Sequence, residues 1–79
     1  MRRDAVGAAI RRAREAAGMS QDDLAEASGV SRPVIARIEL GNSGVQVDRL
    51  WDLAEALSMT PSALLADAEH HMPAPKRRH

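Results

Sequence analysis

Apolar residues return every three or four positions along most of the chain, and the stripes are separated by glycine, serine or proline. Val6, Ile10, Ala13 and Ala17 form the first stripe, with Arg11, Arg12 and Glu15 turned outward. This period marks a helix with one buried face, so a first helix is predicted from an N-cap at Asp4 to about Ala17, with Gly18 as its stop. A second helix follows Ser20, which pairs with Asp23 three residues later as a capping box, and it buries Leu24 and Ala25. Gly29 supplies the positive φ of a tight turn and Val30 fills the corner. Ser31 caps a third helix with Pro33 in its first turn, where a missing N–H is tolerated. In that helix Ile35 and Ile38 face inward, Arg32, Pro33, Ala36 and Arg37 lie elsewhere on the surface, and Gly41 ends it after Leu40. Asn42 to Gln46 reads as a loop. A fourth helix starts near Val47, with Asp48 favourable to its dipole. Its stripe is Val47, Leu50, Trp51, Ala54 and Leu57, flanked by Leu53, and Ser58 and Met59 break it. Thr60 and Pro61 open a fifth helix to about Ala68, with Leu64 and Leu65 packing.

The pattern predicts an all-α fold of five short helices, in which the second and third are joined too tightly to separate. That pair, Ser20 to Glu39, is a helix-turn-helix, a motif whose second helix offers its N-terminal half to a groove of DNA. The domain is expected to span residues 4–69, preceded by a mobile arm at residues 1–3. Residues 70–79, with Pro73, Pro75 and a basic end, are expected to be disordered.

Composition narrows the alternatives. Seventy-nine residues make one small domain near the lower limit for a self-sufficient core. There is no cysteine, and Trp51 is the single aromatic residue. The core must therefore be aliphatic, which suits a helical bundle better than a β-sandwich. No apolar run reaches the roughly 20 residues of a membrane span and no signal-peptide layout opens the chain, so a cytoplasmic protein is expected.

Net charge is zero, but the charges are segregated. Up to Arg14, five arginines (2, 3, 11, 12 and 14) face Asp4 alone, a net +4. Residues 15–31 carry −4, from Glu15, Asp22, Asp23 and Glu26, and residues 48–69 carry −4 again. A basic face opposite an acidic one is compatible with a nucleic-acid footprint; an ordinary mixed surface would have the same charge count.

Ile10-Arg-x-x-Arg14, Gly18-Met-Ser-Gln-x-x-Leu-Ala25, Ser28-Gly-Val-Ser31, Ile35-x-x-Ile38-Glu39 and Leu53-Ala-x-Ala-Leu57 occur in one register. Together they resemble the Cro/C1-type DNA-binding domain, also called XRE-type or lambda-repressor-like, over roughly Val6 to Ala66. Three positions depart from the pattern. Ser28 replaces an apolar residue, Pro33 stands where a hydrogen-bonding side chain is common, and Ser58 replaces a frequent glycine.

The resemblance implies a sequence-specific transcriptional regulator, a repressor that binds a palindromic operator in double-stranded DNA as a homodimer. Arg32, Pro33 and Arg37 are the candidate base contacts. An arginine can donate two bonds to guanine O6 and N7, although phosphate contact or a surface ion pair would equally use the charge. Pro33 and Val34 could meet a thymine methyl, with Val34 alternatively in the core. Gln21, Ser31, Asn42 and Ser43 are candidate DNA-backbone contacts. Arg14 and Glu39 match a family pair that ties the first helix to the end of the third. Dimer contacts are expected around the fifth helix, at Pro61, Leu64 and Leu65. An antitoxin or other protein-interaction module, with a partner such as a toxin, is the alternative. No enzyme, metal or cofactor is expected: His70, His71 and His79 lie on the tail and define no site.

Overall fold

The computed structural model describes residues 3–71, so the arm at Met1 and Arg2 and the basic segment at 76–78 lie outside the described residues. Five α-helices are present: α1 Arg3–Ala16, α2 Gln21–Ser28, α3 Arg32–Glu39, α4 Val47–Ala56 and α5 Pro61–His70. Their principal contacts close a ring in the order α1, α3, α2, α4, α5 and back to α1. At its centre lies one aliphatic core: Ala9, Ile10, Leu24, Val30, Ile35, Ile38, Leu53, Ala54, Leu57, Leu64 and Ala68. No strand occurs among the described residues, and none of their helices is long and apolar enough to cross a membrane.

Three helices end the same way. At the end of α1, Met19 N–H reaches the Arg14 carbonyl (3.0 Å) and Gly18 N–H reaches that of Glu15 (3.0 Å). Asn42 and Gly41 repeat the pair on Arg37 and Ile38 after α3, and Met59 and Ser58 repeat it on Ala54 and Glu55 after α4. These paired 6→1 and 5→2 bonds form the Schellman motif, which requires a left-handed residue at its turning point. Gly18 and Gly41 adopt φ of 71° and 77° without strain, whereas Ser58 is held at φ 58° with a side chain attached.

Several boundaries differ from the sequence expectation. Arg3 begins α1, and Asp4 lies within its first turn, accepting the Ala5 N–H at 3.0 Å instead of capping from outside. Ala17 lies past the helix and is exposed, and α5 continues through His70, so the ordered fold extends to the start of the expected tail. The expected stripe of α4 holds at Leu50, Ala54 and Leu57 and differs at its other positions. Leu53, expected as a flank, is fully buried with Ala54, whereas Val47 and Trp51 are 68% and 55% exposed. The neighbours of α4 are α2 and α5, and they cover its Leu53 side. Leu64 is likewise fully buried within the single chain.

One close approach sets the seat of α3. Gly7 is buried against the end of that helix. A Cβ built on Gly7 would overlap the Ile38 carbonyl oxygen and fall 3.1 Å from Glu39 Cα. Backbone thus packs on backbone where α1 crosses α3, a geometry open only to glycine.

Candidate nucleic-acid interface

Local hydrogen bonds define the backbone of the helix-turn-helix. Ser20 Oγ accepts the Asp23 N–H (2.9 Å) and Asp23 Oδ2 accepts the Ser20 N–H (2.9 Å), completing the capping box of α2. Ser20 holds the Asp23 carboxyl below its ordinary range, through its backbone N–H first and its side chain second. Gly29 turns at φ 78° and its N–H bonds to the Ala25 carbonyl. Ser28, the polar residue at the corner, accepts the Val30 N–H at 3.1 Å and so satisfies a turn donor that an apolar residue would leave bare. Ser31 has the backbone geometry of an N-cap, but its hydroxyl makes no capping bond to α3. The expected side-chain cap is therefore absent and the helix starts from backbone geometry and Pro33.

Within α3, successive residues turn by about 100°. Ile35 and Ile38 are buried, Val34 is half-buried against the same core, and Arg32, Pro33 and Arg37 are exposed. Ala36 falls between the two arginines and is half-buried. Its place on the outward arc agrees with the helical pattern of the sequence, which sets Ala36 on the surface with Arg32, Pro33 and Arg37. A small side chain there lets a partner come close. Arg32 Nε lies 3.4 Å from Asp22 Oδ1, with side chains 61% and 80% exposed. A pair so exposed contributes about 0–1 kcal/mol, which leaves Arg32 available to a stronger acceptor. Arg37 makes no ion pair among the described residues.

Beneath α3 lies the most buried polar contact of the described residues. Arg14 Nε and Nη2 donate to the two oxygens of Glu39 at 2.8 and 3.1 Å, and Arg14 Nη1 donates to the Met19 carbonyl at 2.8 Å. The side chains are 11% and 4% exposed. Hydrogen bonding to Glu39 raises the arginine pKa further, against the opposing effect of burial. Gln21 Nε2 completes the group by donating to Glu39 Oε1 at 3.0 Å. Gln21 is therefore neither free nor inert: its amide is oriented by the carboxylate that fixes α1 to α3.

A surface concavity of about 370 Å³ opens over this network, lined by Arg11, Arg14, Gln21, Ala36, Glu39 and Leu40. It brings Arg11 beside Gln21, a neighbour the linear pattern did not suggest, since Arg11 belongs to α1 and pairs there with Glu15 at 3.2 Å. Asn42 is exposed, with its N–H committed to the end of α3, and Ser43 Oγ donates to the Gly44 carbonyl at 3.3 Å. The α5 candidates divide between surface and core. Pro61 and Leu65 are half-buried, and Leu64 is enclosed by the chain's own core, with no area left for a partner. No trio of acidic, histidine or cysteine residues able to hold a metal occurs among the described residues.

A family profile described as helix-turn-helix matches residues 10–64, well over half of the chain. The chain belongs to the Cro/C1-type helix-turn-helix family. This domain is similar to an uncharacterized transcriptional regulator in the ATPase CF(0) region of Rhodospirillum rubrum, 34% identical over 68 residues, 86% of this chain and 63% of that protein. It is 39% identical to an uncharacterized HTH-type transcriptional regulator of Mycobacterium tuberculosis, over 78% of this chain and 44% of the other. The chain thus spans between 44% and 63% of these relatives' length. Among solved structures, the clp gene regulator ClgR of Corynebacterium glutamicum superposes with a TM-score of 0.86 at 33% identity, covering 92% of this chain and 95% of that one. The restriction-modification controller protein C.AhdI of Aeromonas hydrophila gives 0.76 at 34% identity, covering 78% and 94%. Helix-turn-helix transcriptional regulators are thus what this domain resembles in both sequence and shape.

Proposed function

We propose that the domain is the sequence-reading part of a cytoplasmic repressor that binds a two-fold-symmetric operator as a homodimer. One observation carries the reading. On α3 the side chains of Arg32, Pro33 and Arg37 are exposed while Ile35 and Ile38, on the opposite side, are buried. An isolated basic helix would have no fixed orientation in a groove, but this one is locked by its inner face, by Gly7 and by the Glu39 carboxylate.

In the proposed complex α3 lies in the major groove. Arg32 leaves its exposed partner Asp22 for a guanine edge, Arg37 reads a second position, and Pro33 makes van der Waals contact beside Ala36. Gln21, Ser31, Asn42 and Ser43 face the phosphodiester backbone, and Arg11 joins them from α1. The hydroxyl of Ser31, unused in capping, is consistent with that role. Asp22 and Asp23 sit beside Gln21 and oppose a phosphate there, so Gln21 acts as a neutral donor oriented by Glu39. A second copy is needed because one short helix buries too little surface for tight specific binding. Pro61 and Leu65 supply contacts for that copy, which sets the two α3 helices about 34 Å apart along the DNA.

The test begins with selection of bound sequences from random DNA, followed by affinity measurements on the selected site across salt concentrations. Arg32→Ala should relax preference at one base pair per half-site, with a loss of about 1–3 kcal/mol of discrimination. Gln21→Ala should weaken all sites alike. Uniform weakening by Arg32→Ala would assign that arginine to phosphate. Selection of a site with no two-fold symmetry would remove the homodimer.

A further inference from the structure

The outer face of α4 is unexplained by the reading above. Val47 and Trp51, one turn apart, are 68% and 55% exposed, and with Leu40 they are the large apolar residues left uncovered among the described residues. Asp48, Asp52 and Glu55 run along the same helix at intervals of four and three, all exposed. None of these carboxylates makes an ion pair within the described residues. In the ring of helices α4 packs on α2 and α5, whereas α3 packs on α1 and α2. The face is therefore built on a different part of the scaffold from the reading surface.

An exposed tryptophan beside an aliphatic side chain marks a place where burial would be favourable. The charge beside it selects among occupants. DNA is excluded by three uncompensated carboxylates. A second copy of this chain meeting the same face across a two-fold axis would bring six carboxylates together, because a symmetric interface sets each patch against itself, and Arg49 alone on each copy would oppose them. A cationic side chain, by contrast, can lie over the indole face while its charge meets the carboxylates.

We propose that the α4 face of Val47, Trp51, Asp48, Asp52 and Glu55 docks an arginine- or lysine-bearing segment of a different protein. The domain then holds DNA on α3 and a basic protein surface on α4 at once. This goes beyond the DNA-binding reading and does not depend on it.

The probe is a short labelled peptide with arginine and leucine at helical spacing, titrated with the whole chain and followed by fluorescence anisotropy; the control peptide carries glutamate in place of arginine. Saturable binding of the arginine peptide alone is expected, weakened about tenfold or more by Asp52→Asn/Glu55→Gln and by Trp51→Ala. Glu26→Gln/Glu69→Gln, which removes the same charge elsewhere, should leave the affinity unchanged. Absence of binding, equal binding of both peptides, or equal weakening by the two charge variants overturns the proposal. So does loss of self-association by Trp51→Ala in sedimentation, which would give the face to a second copy. Circular dichroism melting confirms that each variant is folded, and DNA affinity measured in parallel separates failure here from failure of the reading surface.

Discussion

Removing the Arg14 guanidinium should damage this domain far more than removing its neighbour Arg12. In Arg14→Ala the Glu39 carboxylate, 4% exposed, loses both guanidinium bonds and keeps only the Gln21 amide. The carbonyl of Met19, the residue whose N–H closes the Schellman turn of α1, also loses its donor. An ion left buried without its partner costs about 3–5 kcal/mol. A domain this small has total stability toward the lower end of about 5–15 kcal/mol, so the variant should be close to unfolding at room temperature. At about 4–8 °C per kcal/mol for a domain of this size, the melting temperature falls by at least ~12 °C. Arg12 Nη2 meets Asp67 at 2.8 Å, but those side chains are 37% and 35% exposed, and Arg12→Ala should cost about 0–1 kcal/mol. Thermal melts followed by circular dichroism at 222 nm (the helix band) and urea titrations compare the two. The double variant Arg14→Met/Glu39→Leu provides the internal check, because replacing both charges with apolar groups removes the stranded ion and should recover part of the loss. Equal melting curves for Arg14→Ala and Arg12→Ala, or a double variant less stable than Arg14→Ala, would refute the reasoning.

Three further outcomes follow from features of the fold. Gly7→Ala gains helix propensity of about 1 kcal/mol yet must push α1 away from the Ile38 carbonyl, where overpacking costs about 1–3 kcal/mol or more; urea unfolding should show net destabilisation, and a stabilised variant would mean that α1 and α3 are not in contact there. Ser58→Gly should stabilise by roughly 0.5–1 kcal/mol in the same assay, the left-handed strain of about 1–2 kcal/mol being partly offset by the added freedom of the unfolded chain. Asp23 has a lowered folded-state pKa, so its contribution is present above its unfolded value and is lost as pH falls through the folded one. Unfolding midpoints from neutral pH down to about 2 should accordingly decline less steeply below 4 in Asp23→Asn than in the parent; identical acid limbs would remove the capping box from the stability balance.

The fold was legible because its punctuation is chemical and local. Ser20, Gly29, Gly41 and the Thr60–Pro61 pair each specify a backbone conformation through their own side chain or its lack. Positions decided by neighbouring helices were less legible. Val47, Leu53 and Trp51 all satisfy a helical period, and only the placement of α2 and α5 determines which of them is covered. Leu64 and Leu65 are adjacent in sequence and differ in burial for the same reason. At the site, the arginines of α3 could be read from spacing, and Arg14 with Glu39 from the resemblance. The third member of that network could not: nothing in the order of residues shows that the Gln21 amide reaches a carboxylate 18 positions later. The same holds for Arg11, which joins the surface through the crossing of α1 and α3, set by the absence of a side chain at Gly7.

The way α3 is seated also has a meaning for design. Its anchors are Ile35 and Ile38 on one side, Glu39 at its end and the backbone crossing at Gly7, and none of these belongs to the outward arc of Arg32, Pro33, Ala36 and Arg37. Arg32 and Arg37, exposed and outside every anchor, are the exchangeable members of that arc, whereas Pro33 helps to start the helix and Ala36 is half-buried. Under the proposed reading, a library varied at the two arginines alone would alter preference among DNA sequences with little change in melting behaviour, so new specificities could be screened without first restoring the fold.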